Sequence, residues 1–175
     1  RPANTAINLS VGGAVNLNAS SLNSAGGNVS IDGPGGVTPA AAGPDVSMGA
    51  TGTLTFGADN NLNIQINGTA PDAGYRQLNV VGKVNITGLD LVLSGSYVVS
   101  GNETFVIVNN DGADAVVGWF NNLPNGSLIP NFLGSGLDAK ISYAGGTGND
   151  VTLTIVCPNP VLSGCTSMAV NTLPG

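Results

Sequence analysis

The aspartates and the few aromatic residues are the side chains of this sequence that could best catalyse a reaction or bind a ligand. The chain contains ten acidic residues, four basic residues and no histidine. Glycoside hydrolysis requires two carboxylates placed across a cleft. Five aspartates could supply such a pair: Asp59, Asp72, Asp90, Asp111 and Asp114. The aromatic residues that could stack on a sugar are Tyr75, Tyr97, Trp119 and Tyr143.

The only tryptophan is predicted to lie in the core instead of in a sugar site. Trp119 belongs to the apolar phrase Val117-Gly118-Trp119-Phe120. Such a phrase is typical of a buried strand. The sequence therefore favours a protein without catalytic activity, and a carbohydrate site remains the alternative.

Two short segments are weak candidates for calcium. Gly145-Gly146-Thr147-Gly148-Asn149-Asp150 fits the start of a glycine-rich calcium nonapeptide, but calcium solenoids need tandem copies and this sequence has one. The candidate ligands are Asn149, Asp150, Asp111 and Asp114. The favoured interpretation is a glycine hairpin at 145–150 and a turn at 111–114. No other cofactor is expected.

Composition excludes several functional classes. Without histidine and with two cysteines, the chain cannot build an ordinary zinc site or a Ser-His-Asp site. The net charge of −6 argues against binding to nucleic acid. No apolar run approaches the roughly 20 residues of a transmembrane helix, so no transmembrane segment is expected.

The two cysteines, Cys157 and Cys165, flank a short segment that contains two prolines. In an exported protein, a disulfide between them is the simplest interpretation. Free thiols or other pairings are the alternative.

Short β-strands are the predicted elements that must position these residues. Strong helix formers other than Ala and Leu are nearly absent, and apolar residues alternate with small polar ones, which is the pattern of a half-buried strand. The alternating segments are 6–10, 14–18, 28–32, 53–56, 61–66, 77–80, 83–87, 90–94, 103–108, 140–143 and 150–155.

A β-solenoid is the favoured arrangement of these strands. Sandwiches and barrels also fit many short strands separated by Gly, Asn and Asp turns, but strands this short and uniform suit a thin core of stacked rungs. We therefore predict an all-β protein, a right-handed parallel β-helix or solenoid. Rungs are expected over 1–95. A Gly/Pro-rich break at 33–50 is either an outward loop or the start of a new segment.

Residues 50–156 resemble the β-strand repeat module at the ends of autotransporter-type and other large bacterial surface proteins. The matching phrases include Gly52-Thr53-Leu54-Thr55, Gln65-Ile66-Asn67-Gly68, Gln77-Leu78-Asn79-Val80, Asn109-Asn110-Asp111-Gly112 and Gly148-Asn149-Asp150-Val151. Arg76 departs from the pattern, which has an aspartate after the tyrosine. The resemblance implies a secreted β-solenoid whose residues 96–156 form a C-terminal β capping segment with hairpins.

The tail carries a second and shorter resemblance. Cys157-Pro158-Asn159-Pro160 and the run from Ala169 to Gly175 are similar to the opening strand of immunoglobulin-like repeats in long bacterial surface proteins. Residues 157–175 are thus expected to be a Cys-bracketed linker or the start of a next domain. Because the chain begins at Arg1 without a methionine, we expect a processed or partial piece of a longer protein.

Together these features predict a structural or adhesive module of a secreted or cell-surface bacterial protein. It would act as a rigid β-rod or filament segment. Its expected partners are other domains or copies of the same surface protein, and surface glycans are a further possibility. A carbohydrate-binding or polysaccharide-degrading solenoid is the alternative, and a calcium-stiffened solenoid is a third.

Overall fold

Short strands dominate the computed structural model, which describes residues 5–17, 22–41, 43–49 and 51–156. Cys157 and Cys165 lie outside the described residues, as does the predicted linker. The strands are β1 (Ile7–Ser10), β2 (Val15–Asn16), β3 (Leu22–Asn23), β4 (Val29–Asp32), β5 (Val37–Thr38), β6 (Val46–Ser47), β7 (Thr53–Phe56), β8 (Asn61–Gln65), β9 (Leu78–Val81), β10 (Lys83–Val84), β11 (Asp90–Ser94), β12 (Thr104–Asn110), β13 (Leu128–Ile129), β14 (Asp138–Gly145) and β15 (Asp150–Val156). The chain is therefore all-β where it is described, with one short 3₁₀ turn at Phe132–Gly134.

Three sheets contain all of these strands. Sheet A has the order β1-β4-β7-β10 and sheet B the order β2-β5-β8-β11. Sheet C has the order β3-β6-β9-β12-β15-β14-β13. Three pairs at the end of sheet C are antiparallel: β12 with β15, β15 with β14 and β14 with β13. All other pairs are parallel, including β9 with β12.

The strands visit the three sheets in a repeating order along the chain. β1, β2 and β3 belong to sheets A, B and C in turn, and each of the next three sets of three strands repeats this order. We call each set a triplet. Residues paired between consecutive triplets lie 22, 25 and 30 positions apart, as for Ile7 with Val29, Val29 with Leu54 and Leu54 with Val84.

One continuous core joins the sheets. Alternation places one side of each strand inward, so Val29 and Ile31 of β4 are fully buried while Asp32 is exposed. Fully buried residues of the other sheets include Leu62 and Leu78, and they belong to the same apolar cluster. The sequence-based prediction of half-buried strands is confirmed here.

Two strands lie within the predicted break at 33–50. β5 and β6 carry Val37 and Val46, which are both fully buried, and each strand pairs on both sides. The segment thus continues sheets B and C. Alternation could not reveal these strands because a two-residue strand contains only one inward position.

Glycines permit close approach of consecutive triplets just before the strands of sheet A. A Cβ at Gly52 would lie 2.6 Å from the carbonyl oxygen of Gly27, and a Cβ at Gly82 would lie 2.7 Å from that of Gly49. A Cβ at Gly27 would likewise lie 2.8 Å from the backbone nitrogen of Ala6. We call Gly27, Gly52 and Gly82 the glycine column. Side chains at these positions would force the backbones apart.

Asparagine side chains link consecutive triplets. Asn28 Oδ1 accepts from the Thr53 N–H at 3.0 Å, and Asn67 Oδ1 accepts from the Ser96 N–H at 3.0 Å. An amide-to-amide bond also occurs, from Asn109 Nδ2 to Asn79 Oδ1 at 2.9 Å. Most of the asparagine bonds between triplets run to the backbone. These side chains therefore connect neighbouring triplets in addition to forming turns.

Candidate functional site

The two calcium candidate segments lie against each other. The hairpin between β14 and β15 carries Asn149, whose Nδ2 lies 3.1 Å from the carbonyl oxygens of both Asp111 and Gly112, and 3.3 Å from that of Asp114. Asn149 is 3% exposed. The amide therefore occupies the space among three carbonyl oxygens that a cation would otherwise require.

Asp150 completes this contact through its carboxylate. Its Oδ1 accepts from the Asn110 N–H at 2.9 Å, and its Oδ2 accepts from the Thr147 N–H at 2.9 Å. We call Asn149 and Asp150, with the loop at 111–114, the hairpin clasp. The predicted glycine hairpin is confirmed, and its polar residues fasten β14 and β15 to the loop that follows β12.

No group of three or more acidic or cysteine side chains suited to a metal ion occurs among the residues that the structure describes. Next to the hairpin clasp, at the end of β12, Asn110 Oδ1 is buried without a hydrogen-bond partner. Its Nδ2 donates to the Asp114 carbonyl at 2.5 Å. The clasp is thus built mainly from amide-to-carbonyl bonds, and calcium remains an untested prediction.

Of the five aspartates considered as a catalytic pair, Asp72 and Asp111 share a pocket. That pocket has a volume of about 270 Å³ and is lined also by Asn79 and Asn109. Asp111 Oδ1 accepts from the Gly82 N–H at 2.6 Å, so this carboxylate supports the connection between β9 and β10. Asp59 lies in an exposed turn with a φ of 60°, and Asp90 begins β11.

Asp45, which follows Pro44 of this pocket, is a buried carboxylate with a structural role that the sequence did not suggest. Burial raises the pKa of Asp45, although N–H groups of Asn79 and Ala40 donate to its carboxylate and favour the charged form. The residue is 1% exposed. Both carboxylate oxygens accept from backbone N–H groups and are closed to solvent. Asp45 therefore fastens the loop before β6 to β9, and it cannot contact a substrate.

Three tyrosines considered as sugar platforms hold the fold together through their hydroxyls. Tyr75 Oη accepts from the Val106 N–H at 3.2 Å, and the Tyr75 ring packs edge-on against Phe105 at 5.4 Å. Tyr97 donates to Glu103 at 3.2 Å. Tyr143 donates to the Leu123 carbonyl at 2.6 Å and accepts from the Phe120 N–H at 3.1 Å.

Burial raises the pKa of each of these phenols, and that of Tyr143 reaches about 12. Tyr75 and Tyr143 are largely inaccessible, being 4% and 7% exposed. Neither ring offers an open face for a sugar.

The core position predicted for Trp119 is wrong. The indole is 55% exposed, while the adjacent Phe120 is 1% exposed. The N–H of Phe120 donates to Tyr143 Oη at 3.1 Å, and the two rings pack 6.2 Å apart. These contacts hold Phe120 in the core, while the exposed Trp119 lines an open pocket with Asn121 and Asn122.

A second polar groove lies on the outer side of sheet B. Asn63 and Gln65 of β8 form its floor, and the loop that carries Asp72 and Arg76 forms its wall, enclosing about 360 Å³. Arg76 Nη1 donates to the Pro39 carbonyl at 3.3 Å. The guanidinium therefore ties the loop between β8 and β9 to the preceding triplet.

Comparisons with protein-family models, with curated proteins and with solved structures give no match for this chain. None of the described residues forms a helix with the length and apolar character needed to cross a membrane.

Proposed function

We propose that this chain is a right-handed, three-sided β-solenoid that serves as a non-catalytic structural or adhesive module of a secreted or cell-surface bacterial protein. The observation that carries the proposal is that each strand from β1 to β9 pairs with the strand three places later, which joins four triplets. A chain wound as a solenoid makes this pattern, since each winding adds one strand to each side. The right hand is the usual one for parallel crossovers.

Stiffness is the property that this arrangement would supply. Parallel pairing joins consecutive triplets in all three sheets, asparagine side chains add bonds between them, and the glycine column lets them approach closely. Each rung of such a stack is stabilised mainly by its neighbours. A rod of this kind can project or display other domains without an active site.

The antiparallel strands would act as the cap of this rod. β15 pairs with the edge of β12 that would otherwise remain free for another parallel strand. β14 and β13 then extend sheet C in the antiparallel direction. With β15 in place, the edge of β12 is closed to pairing with other chains.

Nuclear Overhauser contacts between methyl groups test the architecture. A solenoid predicts contacts among the inward residues of all three sheets within one triplet, such as Val29, Val37 and Val46, which belong to one apolar cluster. Absence of contacts between the sheets of a triplet would contradict the solenoid.

Protease treatment of intact source cells, followed by detection with an antibody to this chain, tests the location. We expect cleavage without cell lysis. Protection until the cells are lysed would contradict the surface assignment.

A polysaccharide-degrading solenoid is the second candidate, because Asp72 and Asp111 line one pocket. Incubation with neutral and acidic polysaccharides is expected to release no reducing ends. Release that Asp72→Asn and Asp111→Asn each abolish, while Asp59→Asn does not, would replace the passive role with a catalytic one. Asp59 is the matched control because it lies outside that pocket.

A further inference from the structure

The pocket beside Trp119 is formed where the segment after β12 meets the turn at 87–88. Gly118 has a φ of 77°, and a Cβ there would lie 2.9 Å from the Thr87 nitrogen, so glycine allows the two segments to touch. Asn121 then fastens them, since its N–H donates to the Leu89 carbonyl at 2.9 Å and its Nδ2 donates to the Gly88 carbonyl at 3.0 Å. These contacts therefore hold together the two segments that line the pocket.

The lining of this pocket is neutral and amphipathic. It is a shallow depression, open to solvent, with a volume of about 630 Å³. It is lined by the exposed Trp119, Thr87, Asn121 and Asn122, and it has no charged lining residue. Asn122 is exposed and lines the pocket, so its amide is accessible to a ligand.

These groups match one class of ligand. A pyranose ring has an apolar C–H face that stacks on a flat aromatic surface, and hydroxyls around its rim that bond to amides. A phosphate or carboxylate ligand would lack a cationic partner here. A protein partner would require a broader apolar patch around its anchor residue than Trp119 with the half-exposed Val117 provides.

We propose that the Trp119 pocket binds one neutral pyranose unit of a glycan, with the ring stacked on the indole and its hydroxyls bonded to Asn121 and Asn122. The site is separate from the Asp72 and Asp111 pocket, and it binds without cleaving. It would give the module a means of attachment to surface glycans.

Fluorescence titration of the whole chain tests the proposal directly, because Trp119 is the only tryptophan. The probes are cellohexaose, chitohexaose and mannohexaose, with polygalacturonate as the anionic control. At least one neutral probe is expected to shift the emission in a saturable manner below about 10 mM. Absence of a saturable shift with all three neutral probes would overturn the proposal, and so would a response to polygalacturonate alone.

Variants read by calorimetric titration show whether the pocket itself is responsible. Trp119→Ala is expected to weaken binding about tenfold or more, and Asn122→Ala by several-fold. Val98→Ala is the matched control, since Val98 is 79% exposed and lies outside the pocket lining. Equal binding by Trp119→Ala and the parent chain would refute the assignment. An emission shift that follows protein concentration without sugar would instead identify a second copy as the occupant.

Discussion

Glu103 accepts hydrogen bonds from five donors and so fixes the connection between β11 and β12. Its Oε1 accepts from the Tyr97 hydroxyl and from the N–H and hydroxyl of Ser100, and its Oε2 accepts from the N–H groups of Gly101 and Asn102. Burial alone would raise the pKa of Glu103, but the bonds from Ser100 and Gly101 outweigh it and lower the pKa to about 2. The only glutamate of the chain is therefore a structural residue.

Glu103→Gln is expected to lower the free energy of unfolding by about 1 kcal/mol at neutral pH, since partial exposure weakens the effect of the lost charge. A carboxylate whose pKa is depressed on folding stabilises the fold above its unfolded pKa of about 4.5 and loses this contribution as the pH falls towards 2. Urea unfolding of both chains between pH 7 and pH 2 measures the difference. A gap that stays constant over this range would contradict the assignment.

Tyr143→Phe is expected to cost about 2 kcal/mol, because the buried N–H of Phe120 and the carbonyl of Leu123 would lose their partner. Tyr97→Phe is the control. It removes one of five donors to Glu103 and should cost less than about 1 kcal/mol. Thermal unfolding followed by circular dichroism measures both. Equal losses would show that the hydroxyl of Tyr143 has no special role.

Among the strands, the size of the side chains just before each strand determines how closely consecutive triplets approach one another. In the glycine column, Gly52 and Gly82 directly precede β7 and β10 and Gly27 lies two residues before β4, and a Cβ at each would overlap backbone atoms of an earlier segment. Asn60 lies one residue before β8, fully buried, and its Nδ2 donates to the Ile31 carbonyl at 3.1 Å. The positions just before these strands are thus occupied by glycine or by a hydrogen-bonding residue, and not by a bulky apolar residue.

Gly52→Ala is expected to destabilise the protein by about 2 kcal/mol or more, because the clash with the Gly27 carbonyl is with backbone and no rotamer relieves it. Gly13→Ala is the matched control, since a Cβ at Gly13 meets no atom within 4 Å. Chemical denaturation of both variants measures the difference. A cost for Gly52→Ala no larger than for Gly13→Ala would show that the column does not require glycine.

Over the whole molecule, burial increases from the first triplet inward. Ile7, Leu9 and Leu22 are only partly buried, whereas their parallel partners Val29, Ile31 and Val46 are fully buried. Within the described residues, β1, β2 and β3 each pair on one side only. The first triplet therefore has the fewest contacts to oppose local opening.

Hydrogen exchange followed by mass spectrometry is expected to show faster exchange in peptides of β1–β3 than in peptides of β4–β9. The physical reason is that the inner strands are paired on both sides and close a core that excludes water. Uniform protection would contradict this gradient. Protection of β1–β3 that rises with protein concentration would show that their open edges pair with another copy.

Alternation of apolar and polar residues along the sequence is enough to predict the all-β class and most of the strand positions. Alternation is a local property, because inward and outward side chains follow one another in any half-buried strand. The segments 53–56 and 90–94 were predicted with the bounds observed for β7 and β11. The glycine hairpin before Asp150 was also readable, since its residues favour positive φ.

Which strands are neighbours and which side chains meet depends on contacts between distant parts of the chain. Pairing joins residues 22 to 30 positions apart, and loops of unequal length hide that spacing from a search for repeats. The outward direction of Trp119 depends on the burial of Phe120 against Tyr143, and the contact of Asn149 with the 111–114 loop depends on β12 pairing with β15. Local patterns determine which face of a strand is apolar, but packing between distant segments determines what each face contacts.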